Sequence, residues 1–207
     1  MAERNVRRSK RSKWKKRFIG LLSLNIVILI IILALIFWPV PRVDYPAQHA
    51  DKADESSEFV VRTTKQNLNE LINAYIDQML NDTKHRYRIE LGEDVHLIGE
   101  LPVFSTTVPL SVHLEPFVQD NGDIILKQRS ISIGLLELPN QKIMEYIDKY
   151  LPMPEWVTVN PKDEAIYVAV TDMKLKSNFQ VAVEHIDLDA NNLAFKFRVP
   201  YQTLGIE

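Results

Sequence analysis

Histidines are the residues of this chain most able to do acid–base or metal chemistry near neutral pH. The chain has five of them and no cysteine, so any metal or nucleophile site must be built without thiols. No two histidines stand at the His-x-x-x-His spacing that places two metal ligands on one face of a helix. His96 and His113 fall in predicted strands, and an enzyme would need a polar cluster assembled from distant strands, for example around these two residues. We predict polar-face roles for all five.

Other catalytic signatures are missing from the sequence. There is no Gly-x-Ser-x-Gly nucleophile turn, no phosphate loop and no dinucleotide fingerprint, and the chain has six glycines in all. Asp187 opens a stretch like a calcium loop, but Asn192 stands where glycine is needed and Arg198 where glutamate is needed. We therefore predict a protein that is not an enzyme, with no catalytic residue, no metal and no cofactor.

Large apolar side chains beside prolines are the remaining candidates for a site. They predict an apolar groove with Leu101, Val103 and Phe104 on one wall and Ile143 and Ile147 on the other. Met153 and Trp156 would form its mouth, because a flexible thioether and an amphipathic indole suit an adaptable rim. Ordinary core packing is the alternative explanation of the same residues, since a filled core and an empty groove need the same alternating pattern.

Two helices and a set of strands must position these residues. A Thr-x-x-Gln capping box at 63–66 and apolar residues at steps of three and four predict an amphipathic helix over 64–82. A second, shorter helix begins at Pro139 and ends at Leu151. Alternating apolar residues predict seven or eight strands, with turns at 120–123, 160–163 and 189–192. The fold class is therefore α+β: one domain with a curved antiparallel sheet packed on the long helix and the shorter one.

An uncharged apolar run of 21 residues, 18–38, precedes this domain. A helix of that length spans about 30 Å, the hydrocarbon core of a bilayer, which predicts a transmembrane anchor. Residues 1–17 contain nine basic side chains and one acidic one, so we expect this arm in the cytoplasm on the anionic leaflet. Residues 39–57 read as a linker, and 58–207 as an extracytoplasmic domain.

The outer part of the chain is acidic. Residues 39–207 carry 16 basic and 26 acidic side chains, and phosphate backbones bind to positive surfaces. We therefore predict the membrane, a lipid or an envelope protein as partners, and no nucleic acid.

Short motifs in a fixed order suggest a family. Leu68-Asn69 opens the long helix, and 99–103, 108–110, Leu138-Pro139 and Leu151-Pro152 follow. In this order the chain closely resembles the YpmS family of Gram-positive bacteria. The resemblance implies a single-pass membrane protein facing the cell wall, and it brings no established activity and no catalytic residues. In architecture the predicted domain also looks like tubular lipid-binding half-barrels.

Two functional hypotheses lead. The first is a membrane-anchored extracytoplasmic module that binds a lipid or a lipid-linked envelope molecule in the apolar groove. The second is a protein-interaction scaffold for cell-wall or secretion machinery, in which the groove is simply core.

Overall fold

The computed structural model describes residues 4–36, 56–103, 106–134, 139–175 and 179–201. The chain divides into two compact units, Met1–Pro39 and Val40–Glu207. The first holds helix α1, Arg4–Ile36, with an apolar stretch Trp14–Leu35 of mean hydropathy 3.0. That stretch is long and apolar enough to cross a membrane.

Helix α1 begins well before Phe18, the predicted start of the apolar helix. Lysine and arginine are good helix formers, so the basic arm continues the helix instead of ending it. The last two residues of the predicted span, 37 and 38, lie outside the described residues.

The second unit has the predicted α+β class. Its helices are α2, Lys65–Leu80, and α3, Asn140–Tyr150, with a short 3₁₀ helix at Val170–Asp172. The described residues form nine strands: β1, Ser56–Thr63; β2, Tyr87–Leu91; β3, Val95–Val103; β4, Thr106–Val118; β5, Ile124–Ile133; β6, Val157–Asn160; β7, Ala165–Val168; β8, Gln180–Asp187; and β9, Asn192–Pro200.

The strands form two antiparallel sheets instead of the single predicted sheet. Six strands pair in the order β2-β3-β4-β5-β7-β6, and three pair in the order β1-β9-β8. Strand β1 was not predicted: its first two residues fall in the predicted linker, 39–57, and its other residues were not assigned to a strand. It pairs with β9 along its whole length and extends the β8–β9 hairpin into the three-stranded sheet.

The main core lies against one face of the six-stranded sheet. Alternate residues of β3 and β4 point into it, among them Leu97, Leu110 and Val112, all less than 4% exposed. Helix α3 adds Met144, and the small sheet adds Leu193, to the same buried cluster. The strand alternation predicted from the sequence is therefore confirmed as the pattern that fills this interior.

Helix α2 starts one residue later than the capping box indicated. Thr64 is its N-cap, and its Oγ1 accepts a hydrogen bond of 3.3 Å from the backbone N–H of Asn67. Gln66 does not complete a capping box, since its amide donates to Glu70. The predicted apolar stripe is only partly inward: Ile76 and Leu80 are buried, whereas Leu71 is 68% exposed.

The asparagines of α2 lie against strand β2, although their spacing predicted the solvent face. Asn73 Oδ1 accepts from the N–H of Ile89 at 3.0 Å, and Asn73 Nδ2 donates to its carbonyl at 2.7 Å. Asn69 Oδ1 accepts from the N–H of Leu91 at 3.2 Å. β2 is the terminal strand of its sheet, so these amides take the place of a missing neighbouring strand.

A buried carboxylate fixes the hairpin turn between β4 and β5. Asp123 is 2% exposed, and its Oδ1 accepts from the backbone N–H and the hydroxyl of Thr171, each at 2.9 Å. Its Oδ2 accepts from Asn121 and from the hydroxyl of Tyr167. In the same turn Gly122 has φ +88°, and its carbonyl accepts from Val183 of β8 at 2.7 Å. The turn was predicted, whereas its role in joining the two sheets was not.

Candidate functional site

Four of the predicted groove residues lie in or against one buried cluster. Leu101, Ile143 and Ile147 are 3%, 2% and 0% exposed and belong to the same buried cluster. Met153 is partly buried and packs on that cluster. The side chain of Val103 and the whole of Phe104 lie outside the described residues. The two predicted walls are thus brought together, and the groove itself stays a prediction.

A set of residues that we call the seam links helix α2 and strand β2 to the segment between α3 and β6. The seam consists of Tyr75, Tyr87, Pro152, Met153 and Trp156. The rings of Tyr75 on α2 and Trp156 just before β6 are 5.9 Å apart, tilted by 49°. The hydroxyl of Tyr87 on β2 donates to the carbonyl of Pro152 at 2.5 Å.

The seam is closed by side chains and not by strand pairing. Strands β2 and β6 are the two terminal strands of their sheet, so no backbone ladder joins them. Within the described residues, the polar and ring contacts of the seam are the Tyr87–Pro152 hydrogen bond and the Tyr75–Trp156 ring pair, whereas neighbouring strands such as β3 and β4 pair over nine residues. Because each hydrogen bond contributes about 1 kcal/mol, separating the seam residues costs less than separating two paired strands.

The hydroxyl of Tyr87 is held in its neutral form. Burial, with a smaller contribution from Tyr75, raises the pKa of Tyr87 to about 12. The phenol therefore keeps its proton at any physiological pH and remains a donor to Pro152. In the sequence only the spacing marks this residue: Tyr87 lies two and four residues before Ile89 and Leu91, so the three side chains share one face of β2.

Apolar surface continues outward from the seam along α2. Leu71 is 68% exposed and Tyr75 is 42% exposed. Residues four apart lie on one face of a helix, so these two side chains form a strip that leads to Trp156. Sequence reasoning counted both as core residues and missed this role.

His96 and His113, the example of a polar cluster that an enzyme would need, lie side by side. They are cross-strand partners on β3 and β4, with ring centroids 4.0 Å apart and planes 14° apart. His96 Nε2 lies 2.7 Å from Ser111 Oγ, and His113 Nδ1 lies 3.1 Å from the Asp94 carboxylate. Burial, then the neighbouring His113, lowers the pKa of His96. Within the described residues, no group of three or more His, Asp or Glu side chains is placed to hold a metal ion.

Comparisons with known proteins confirm the family resemblance. Residues 12–199 match the bacterial family described as "Uncharacterized protein conserved in bacteria (DUF2140)". The chain is similar to "Uncharacterized protein YpmS" of Bacillus subtilis (strain 168), with 30% identity over 191 residues, which is 92% of this chain and 100% of that protein. No solved structure matches the chain.

Proposed function

Because the chain belongs to the DUF2140 family, whose match runs from the apolar helix through β9, we propose that helix and domain act together as a membrane-tethered binding module. The apolar part of helix α1 is the anchor, and the basic residues in its N-terminal part hold the N-terminus in the cytoplasm. The domain then stands on the outer side of the cell membrane. Its ligand is a lipid or a lipid-linked envelope molecule.

The seam is the observation that supports a lipid ligand. In it Tyr75, which with Leu71 forms an exposed apolar strip, contacts Trp156, and Tyr87 and Met153 pack on the buried apolar cluster. An acyl chain that leaves a bilayer loses about 0.8 kcal/mol for each methylene exposed to water, so its carrier must offer continuous apolar cover. Opening the seam would supply that cover without breaking a strand ladder.

The tether supports the same proposal. Residues 37–55 join α1 to β1, and 19 residues span at most about 65 Å when fully extended. The domain therefore stays within reach of the membrane surface. A short reach suits a module that takes its ligand from the bilayer, because effective concentration falls as a linker lengthens.

Photocrosslinking in bilayer nanodiscs tests the proposal on the full chain. The discs contain a phospholipid with a photoreactive group near the acyl end, and mass spectrometry locates the adducts. We expect adducts in peptides that cover 67–80 and 151–160 as well as in α1. Trp156→Ala should reduce the domain adducts several-fold, whereas Phe117→Ala should not, although Phe117 is also a partly exposed aromatic residue, at 39%.

A lock across the seam provides the second arm of this test. The chain has no cysteine, so Tyr75→Cys and Trp156→Cys can be joined by a short bis-maleimide without side reactions. We expect the locked chain to form several-fold fewer adducts at Leu101 and Ile147 than the same double variant before it is coupled. Adducts confined to α1 in the unmodified chain would contradict lipid binding, and a dominant crosslink to a protein in whole cells would favour the scaffold hypothesis.

A further inference from the structure

Strand β1 presents an open edge. It is the terminal strand of the three-stranded sheet and pairs, within the described part of the chain, with β9 alone. Phe59, Val60 and Val61 in its centre are 56%, 50% and 47% exposed. An apolar strand with an unpaired edge is a template for another strand, and proteins usually cover or charge such an edge. Here the apolar residues lie at the middle of the edge, which favours pairing with another strand.

The residues of β1 are complementary to themselves. About Val60 as centre, Glu58 and Arg62 are equidistant, as are Phe59 and Val61, and Ser57 and Thr63. We infer that β1 pairs antiparallel with β1 of a second copy of this chain, with the two Val60 residues opposite each other. In this register Glu58 faces Arg62 of the partner subunit, and the same pair forms a second time across the two-fold axis.

Both faces of the shared strand pair gain from this register. Glu58, Val60 and Arg62 lie on one face, where two Glu–Arg pairs flank the central valines. Phe59 and Val61 lie on the other face, where each covers its counterpart from the partner. Opposite charges directly across an antiparallel pair are favourable, and like charges are unfavourable. A register shifted by two residues would place Val60 opposite a charged residue and lose these pairs.

The local charges leave the new pairs available. Glu58 lies 3.8 Å from Lys196 and 3.7 Å from Arg198 on β9, both solvent-accessible ion pairs that a third cation can join. Arg62 is exposed and forms no ion pair within the described residues. A lipid surface would match the apolar residues but not Glu58, which is why a second copy fits this edge better.

The anchors permit this arrangement. In the proposed register the two Ser56 residues are eight residues apart along the strands, or about 27 Å. Residues 37–55 join each Ser56 to its anchor and span at most about 65 Å. Both helices can therefore enter one membrane with the two-fold axis along the membrane normal. An edge of eight residues buries less than a stable soluble dimer needs. We therefore expect pairing only where membrane tethering raises the local concentration.

Cysteine crosslinking of the full chain in native membranes tests the register. Val60→Cys lies on the axis, at a distance from its partner that a disulfide can bridge. We expect disulfide dimers at least about 10-fold above those of Lys174→Cys, which is 92% exposed on another part of the domain. Glu58→Cys should crosslink with co-expressed Arg62→Cys but not with itself. Dimer formation by Val60→Cys no higher than the control would overturn the inference.

A charge-reversal test keeps the inference independent of folding. Arg62→Glu replaces two attractive cross-strand pairs with repulsive ones, so we expect a loss of dimer of about 10- to 30-fold. Co-expression with Glu58→Lys should restore heterodimers, because each variant then supplies the charge that the other lacks. Failure of this rescue, with both variants folded by protease resistance, would overturn the inference. None of these readouts involves the seam, so the lipid proposal can fail without affecting this one.

Discussion

The terminal strands β1 and β2 differ in how their unpaired backbone edges are covered. The free edge of β2 is covered by helix α2, where Asn69 and Asn73 make three hydrogen bonds to its backbone. The edge of β1 has no such cover among the described residues, and its centre is apolar. Both are short antiparallel edge strands, so the difference lies in the side chains that reach them. On the pairing proposed above, the edge of β2 serves folding and the edge of β1 serves a second copy of the chain.

The first prediction removes the cover from β2. Asn69→Ala with Asn73→Ala leaves two N–H groups and one carbonyl without partners, and should lower the free energy of unfolding by about 2–4 kcal/mol. Pulse proteolysis in urea, on the full chain in detergent micelles, measures this. Gln78→Ala on the exposed side of the same helix is the control and should change it by less than about 0.5 kcal/mol. An equal effect of both would show that the amides do not cover the edge.

The second prediction concerns Tyr87 on β2, whose hydroxyl donates to the carbonyl of Pro152. Tyr87→Phe removes its hydrogen bond to Pro152 and should cost about 1 kcal/mol. Because the folded pKa is raised to about 12 from its ordinary value of 10, the neutral phenol stabilises the fold below pH 10. That stability is lost as the pH rises through about 12. Unfolding measured at pH 8 and above pH 11 should show wild type and variant converging, and parallel curves would contradict the assignment.

The third prediction concerns His96 on β3, the strand that pairs with β2. The pKa of His96 is lowered by burial and by His113, so the neutral ring is favoured in the fold. Glu90 and Asp94 act in the opposite direction on His96, and Arg88 acts in the same direction. Stability from the neutral ring is present above the ordinary histidine pKa of about 6.5 and is lost as the pH falls through the lower folded value. His96→Asn should therefore flatten the decline in stability between pH 7 and pH 5, and an unchanged decline would argue against it.

The smallest effect is expected at the open edge itself. Val60→Thr exchanges one β-branched residue for another on a side chain that is half exposed, so the stability of the monomer should change by less than about 0.5 kcal/mol. Pulse proteolysis in dilute micelles, where pairing between chains is not expected, is the measurement. A loss above about 1 kcal/mol would mean that β1 is packed by the chain itself and that the two edges do not differ as described.

Helix and hairpin positions could be predicted from the sequence because their signals are local. The turns at 120–123 and 189–192 and the second helix from Pro139 follow from turn residues and periodicity. Asn69 and Asn73 could not be placed, because polar residues at those positions normally indicate solvent. They point inward because they hydrogen-bond to the edge strand β2, and a helical pattern in the sequence does not show that contact.

The candidate site was predicted in part for a similar reason. Leu101, Ile143 and Ile147 were predicted as walls of a groove and lie in the buried cluster, whereas the groove and its mouth at Met153 and Trp156 stay predictions. Tyr75 and Tyr87 were missed because the seam depends on how far the six-stranded sheet curls, a property that no local pattern encodes. Strand β1 was missed entirely: Ser56 and Ser57 continue the polar composition of the preceding linker, and its three large apolar residues, 59–61, are consecutive and do not alternate with polar ones.

Hydrogen exchange of the two edges tests the central comparison most directly. The full chain is placed in nanodiscs that hold one copy or two, and exchange is followed in peptides that cover 56–63 and 87–91. We predict that 87–91 is equally protected in both, because α2 covers it, and that 56–63 gains protection only when two copies share a disc. Strong protection of 56–63 in single-copy discs, or no gain with two copies, would contradict the account.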